Sequence, residues 1–310
     1  LPLISIFHLQ GLSTFDIGDW YDIFVKEMKV FDVHIHIQPW WMMKPEVYQK
    51  MKLGHANFEA YLPLAKNPEQ FLRFLDEEGV ERACLINYVS PDVMGFTQDV
   101  NAFISEFCKA DPKRLIPFGG IHPRYSRNIK EEVKKCIEKW GIRGFKIHPP
   151  HMLFYPNEYR EGFVELEQMY QIVSDAKIPI MFHTGTSIFP GARSKYGDPM
   201  ALDDVALDFP ELKIILAHGG RPLWMDTAFF LIRRHKNIYL DLSGIPPKSL
   251  LEYFPRIEKI ADKTLFGSDW PGPLIPGIRK NVEDFRALPI SNEAKEKILR
   301  ENAHNLFPLL

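Results

Sequence analysis

VFDVHIH, residues 30–36, is an apolar, β-branched run that finishes on two histidines. Such a run reads as a buried strand, and its polar finish needs a reason, because a buried imidazole is stable only where partners offset its desolvation. Seven further runs share this form: RACLINYV (82–89), LIPFGGIH (115–122), IRGFKIH (142–148), IPIMFHTG (178–185), KIILAHGG (213–220), NIYLDLSG (237–244) and TLFGSDWP (264–271). Amphipathic stretches separate them, among them PEQFLRFLDEEG (68–79), VNAFISEFCKA (100–110), KEEVKKCIEKWG (130–141) and GFVELEQMYQIVSDA (162–176). Eight alternations predict an α/β fold in which right-handed crossovers close a (β/α)8 TIM barrel. An open doubly wound sheet would alternate too, but no GxGxxG follows the first strand.

The 310-residue chain suits a barrel of about 250 residues plus loops. The longest connection, about residues 37–81, opens with QPWWMMKP and is expected to cover the catalytic mouth. At the other end, SNEAKEKILRENAHNLF (291–307) starts at a capping serine and reads as a closing helix. Met28 begins MKVFDVHIHI like the start of a domain, so the barrel is assigned to residues 28–310. Residues 1–27 are read either as an extension that is not part of the native domain or as a helix across the barrel bottom.

Composition narrows the function classes. With 38 basic and 40 acidic residues, no global field favours nucleic acid or an anionic membrane surface, and the expected partner is a small-molecule substrate. Cys84, Cys108 and Cys136 form an odd set without CxxC spacing, which points to reduced, packed thiols in a cytoplasmic protein. No run of about 18 apolar residues predicts a membrane span. Exposed barrel helices often pair, so a homo-oligomer is compatible with the sequence.

The polar residues fall at the C-terminal strand ends, the face on which barrel active sites lie. His34 and His36 are two apart on one strand and face the same side; His183 closes the fifth strand and Asp269 the eighth. Together they predict a divalent metal site. His122, His148, Lys146, His218, Asn87 and Asp241 occupy equivalent positions. His122 is expected to hydrogen-bond behind the ligands. His151, His8, His55, His235 and His304 lack motif support and are read as solvated or locally satisfied, and the loop bearing Phe189, Arg193, Lys195 and Tyr196 as a solvated basic loop.

FDVHIH (31–36), GFKIHP (144–149), FHTG (182–185), AHGG (217–220), YLDLSG (239–244), FGSDWP (266–271) and ENAHNLF (301–307), in that order, resemble the amidohydrolase superfamily. The resemblance is to the amidohydrolase-related branch that includes aminocarboxymuconate semialdehyde decarboxylase. It implies that His34, His36, His183 and Asp269 hold the metal, and that His218 and Asp269 are catalytic. It also sets one ion, zinc first and manganese or iron as alternatives, against a second ion on a carboxylated Lys146. Lys146, His148, Arg221, Trp224 and Trp270 are expected to contact substrate. The family often carries Arg where this chain has His304, which puts only a contact of the last helix in doubt.

Activated water is the simplest use of such a site, so hydrolysis of an ester, lactone or amide of a small organic acid is the first expectation. Non-oxidative decarboxylation of an aromatic or unsaturated acid is the alternative, and it requires a cationic anchor near the metal. A non-catalytic metal-binding scaffold is a third reading, opposed by the intact Asp269 and His218.

Overall fold

Val30 to Ile35 is buried at every position and forms β1, the strand against which the chain closes on itself. The structure, a computed structural model, describes residues 29–55 and 57–309; the extension expected over residues 1–27 lies outside them. β2 (Val80–Ile86), β3 (Leu115–Gly119), β4 (Gly144–Ile147), β5 (Ile180–His183), β6 (Ile214–Ala217), β7 (Ile238–Asp241) and β8 (Thr264–Leu265) follow. They lie parallel in the order β1 to β8. Val33 N donates to Phe266 O at 2.9 Å, Asp269 N to His34 O at 2.9 Å and His36 N to Trp270 O at 2.7 Å, joining the last strand's exit to the first. The expected (β/α)8 barrel is what forms.

Crossover helices pack outside: α1 (Pro68–Glu78), α2 (Asp99–Cys108), α3 (Ile129–Glu138), α4 (Val164–Asp175), α5 (Ala201–Asp208), α6 (Met225–Arg234), α7 (Pro247–Tyr253) and α8 (Ile278–Arg286). Their ends follow local chemistry. Asn67 accepts from Gln70 N at 3.0 Å to cap α1, and Gly79 at φ 78° ends it in the left-handed region. Inside the barrel, Phe31, Val33, Ile86, Phe118, Met181 and Ile215 fill the interior. Phe307 of the closing segment plugs the bottom, 6.0 Å from Phe31 and 5.7 Å from Phe118 between ring centroids. Its carbonyl accepts from Arg82 Nη1 at 2.7 Å. The three cysteines are free and buried, and among the described residues no helix is long and apolar enough to cross a membrane.

Two irregularities shape the site. On β1, Asp32 pairs with Ala83 but Ile35 with Leu85, so three steps of one strand match two of the other. That extra residue re-aims the side chains of the strand's end, as bulges beside active sites do. The closing segment is likewise interrupted: the turn Lys297–Glu301 is a π-helix, and Ile298 O accepts from Phe266 N at 2.9 Å. β8 is two residues long where the sequence predicted a run to 271, because beyond Leu265 the backbone bonds to the closing segment and to β1 instead of continuing the ladder with β7.

Candidate active site

β1 delivers His34 and His36 with their Nε2 atoms 3.2 Å apart. Asp269 Oδ1 lies 3.5 Å from His34 Nε2 and 3.3 Å from His36 Nε2. These three residues form a group able to hold a metal ion. Asp269 sits at φ 66° and His218 at φ 67°, a region uncommon for residues with a side chain and found where a site over-determines the backbone.

A buried carboxylate holds His34 from behind. Asp241, at the end of β7, meets His34 Nδ1 at 2.6 Å, and Ser243 Oγ donates to Asp241 Oδ2 at 2.8 Å. Burial pushes Asp241 up to about 7 despite those hydrogen bonds and pushes His34 well down. The short contact puts Asp241 behind the ring, and an Nδ1–H donated to it would leave the Nε2 lone pair for a ligand. Burial likewise holds His183, His218 and His148 well below the usual imidazole range. Burial alone would raise Asp269; the hydrogen bond from His36 and the charges of His34, His36 and Arg221 outweigh it and hold the carboxyl below the usual carboxylate range. Two imidazoles converging on a carboxylate are a donor set that a divalent ion takes. Buried His36 Nδ1 has no hydrogen-bond partner. The residues present fit the ion.

His183 does not join this group. Its Nε2 is 3.2 Å from Thr186 O, its ring stacks on His148 with centroids 3.8 Å apart, and His218 is 4.7 Å away, edge to face. Above these rings lies a cavity of about 180 Å³, walled by His36, Lys146, His148, His183, His218, Arg221 and Asp269 and roofed by Gln38, Trp40 and Met51 of the long first connection. Lys146, fully buried, is 3.5 Å from His34 Nε2 and is pushed down to about 8 by burial. Arg221 Nη2 is 3.7 Å from Asp269 Oδ2.

Two expected substrate contacts lie elsewhere. Trp270 and Trp224 are absent from the cavity wall. Trp270 packs on Tyr61 and Phe74, each at 4.7 Å between centroids, while Asp269, in its left-handed turn, takes the cavity side. Trp224 stands at the N-cap of α6. His122 packs on Tyr125 at 4.4 Å and Phe154 at 5.9 Å, not behind a predicted ligand. His151, read as solvated or locally satisfied, is satisfied by Tyr88 and Ser187 and also lines the cavity, stacked on His148 at 3.4 Å. Tyr88, Thr186 and Ser187 line it too and carried no sequence signal beyond proximity to strand ends. His235 and His304 pair with Asp203 and Glu81 away from the site.

The fold is that of a (β/α)8 barrel enzyme, and its His34, His36 and Asp269 form a candidate metal centre. The amidohydrolase family profile matches residues 31–309, and the chain belongs to that family. A 2-keto-4-carboxy-3-hexenedioate hydratase from Sphingobium is 23% identical over 210 residues, which is 58% of this chain and 60% of that protein's length. Among solved structures, a 2,6-dihydroxybenzoate decarboxylase complexed with 2,6-dihydroxybenzoate superposes with a TM-score of 0.66 at 19% identity, covering 91% of this chain and all of the other. A dihydroxybenzoic acid decarboxylase from Polaromonas, with bound manganese and 2-nitroresorcinol, gives 0.61 at 19% identity, covering 90% and 96%.

Asp241→Asn tests the support behind His34. It removes the negative charge that fixes the ring while keeping its shape, so the affinity for a divalent ion is expected to fall about 10–100-fold. Competition with a fluorescent chelator measures this; unchanged affinity would show that Asp241 does not tune the ligand.

Proposed function

We propose that this protein is a divalent-metal-dependent, non-oxidative decarboxylase of a small planar carboxylic acid, aromatic or conjugated. The observation that carries the reading is the pair of basic side chains on the cavity wall, Lys146 at 3.5 Å from His34 and Arg221 at 3.7 Å from Asp269. A carboxylate substrate needs such an anchor, whereas hydrolysis of a neutral ester does not. A cavity of about 180 Å³ is on the scale of one that takes a benzene ring. The solved neighbours that act on aromatic acids support decarboxylation over the hydrolysis first expected.

His34, His36 and Asp269 would hold the ion, with His183 close by, and manganese, present in the Polaromonas structure, is the ion to load first. When bound, it would act as a Lewis acid toward a substrate oxygen and offset charge that builds as the bond breaks. Lys146 and Arg221 bind and orient the acid. When the bond to the carboxylate carbon breaks, its electron pair stays on the remaining carbon, carbon dioxide leaves, and that carbon takes a proton. His218 is suited to relay that proton: its Nδ1–H donates to Ser243 O at 2.8 Å, which fixes the tautomer and leaves the Nε2 lone pair to take a proton from a substrate hydroxyl or water and pass it to the carbon. Trp40 and Met51 add apolar surface to the cavity wall.

The test is a screen of aromatic and unsaturated acids with manganese-loaded protein, following carbon dioxide, acid release and loss of conjugation separately. Carbon dioxide release is expected. Acid release from esters alone would return the site to hydrolysis, and loss of conjugation without carbon dioxide would make it a hydratase. Lys146→Met keeps the length of the side chain and removes its charge; KM for the acid is expected to rise about 10–100-fold, the loss of a hydrogen bond to a charged group. An unchanged KM would exclude Lys146 as the anchor.

A further inference from the structure

His34, His218, His183, His148 and His151 form a row of imidazole rings, each within 5.2 Å of the next between centroids, and all but His34 line the cavity. Asp269, Lys146 and Arg221 stand at the His34 end. At the His151 end the row finishes in a different chemistry: Tyr88 Oη is 3.1 Å from His151 Nδ1, and His151 Nε2 is 2.7 Å from Ser187 Oγ. All three residues line the cavity.

Counting hydrogens shows what this chain has left over. Burial pushes His151 down to about 3, so the ring is neutral and carries one N–H. A tyrosine O–H, one imidazole N–H and a serine O–H supply three hydrogens for two bonds. One donor remains. If the bonds ran from Ser187 to Tyr88, the spare hydrogen would sit on the phenol, whose residue is 3% exposed, where an unsatisfied donor is costly. In the other direction Tyr88 donates to Nδ1, Nε2–H donates to Ser187 Oγ, and the spare hydrogen is on the half-buried serine. Ser187 Oγ also accepts from Phe189 N at 3.4 Å, so acceptance is satisfied and what the hydroxyl offers the cavity is a donor.

We propose that Ser187, set by His151 and Tyr88, is a specificity-determining anchor for an uncharged oxygen, a hydroxyl, ether or keto group, carried by the substrate across its plane from the reacting carboxylate. The carboxylate goes to the cationic end and the distal oxygen to Ser187, so the row of rings measures the molecule between them. The inference rests on the decarboxylase reading only in taking the substrate to be an acid.

Binding of non-reacting probes separates the two. Benzoate, 3- and 4-hydroxybenzoate, and 3- and 4-methoxybenzoate are titrated calorimetrically into manganese-loaded protein and into Ser187→Ala and Tyr88→Phe variants, with carbon dioxide release assayed in parallel. Wild-type protein is expected to bind at least one oxygenated probe about 5–10-fold more tightly than benzoate, the effect of one net hydrogen bond. Ser187→Ala abolishes the preference and leaves benzoate affinity within about 2-fold, as expected for loss of a single contact. Tyr88→Phe, which removes the head of the chain but keeps the ring, weakens the preference in the same direction. Equal affinity for all five probes in wild-type protein, or a preference that survives Ser187→Ala, overturns the anchor whatever the carbon dioxide assay returns. A preference abolished by Ser187→Ala in protein that releases no carbon dioxide upholds the anchor and removes the decarboxylase reading.

Discussion

Asp269→Asn, which takes the one carboxylate from the group proposed to hold the ion, is expected to lower kcat/KM by about 10²–10⁴-fold, on the scale of losing a catalytic group, with the protein still folded. Both halves of that outcome follow from the local structure. Asp269 holds a left-handed backbone, φ 66°, which Asn tolerates better than most residues, so the turn after β8 survives. Its carboxylate is buried among His34, His36 and Arg221, and an amide supplies neither the charge that faces those groups nor a base. Steady-state kinetics on manganese-loaded protein, paired with thermal unfolding, separates the effects. A variant that turns over at near-native rates would falsify the role assigned to Asp269, and one that no longer unfolds cooperatively would show that the carboxylate is needed for the fold.

Gly267→Ala should be nearly as damaging, although residue 267 does no chemistry. A methyl group there would stand 2.3 Å from Asp241 Oδ1, 2.8 Å from His34 Cβ and 3.1 Å from Ser243 Cβ. Those are the residues that fix the His34 ring, and being buried they have nowhere to move. Overpacking of this kind costs about 1–3 kcal/mol, and relief by displacing Asp241 or His34 would lower metal affinity by at least the about 10–100-fold expected when such support is lost. Metal content after dialysis and the unfolding midpoint both report on it. Wild-type values for both would mean that the backbone yields there without disturbing the site.

The barrel was legible because its signal repeats: eight apolar runs with polar ends require only that the period of a strand be recognised, and the structure orders them β1 to β8. His34, His36 and Asp269 were legible for a related reason, since a polar residue closing an apolar strand must find partners there to offset its desolvation. Contacts set by loop geometry were not. His151 lies in the short helix Pro149–Met152, where neither period nor motif indicates that its ring turns back onto His148. Asp241 stood out as a polar strand end, but its bond to His34 spans 207 residues of sequence and follows only from closure of the barrel. Adjacency misleads at Trp270, since the residue beside a ligand faces away from it. The strand limits ran long because GSDWP, although it continues an apolar run, leaves the ladder to bond with β1 and the closing segment.

That last departure links the site to the order in which the chain is made. Ile298 of the interrupted helix holds Phe266, three residues before Asp269, while His34 and His36 lie near the start of the barrel. At about 5–20 residues per second, the 207 residues between His34 and Asp241 take some 10–40 s to synthesise, and Asp269 and its brace emerge later still. A growing chain therefore exposes two histidines long before it has a carboxylate to complete them. A ribosome stalled before residue 264 would carry a chain that has both histidines and neither Asp269 nor the brace behind it.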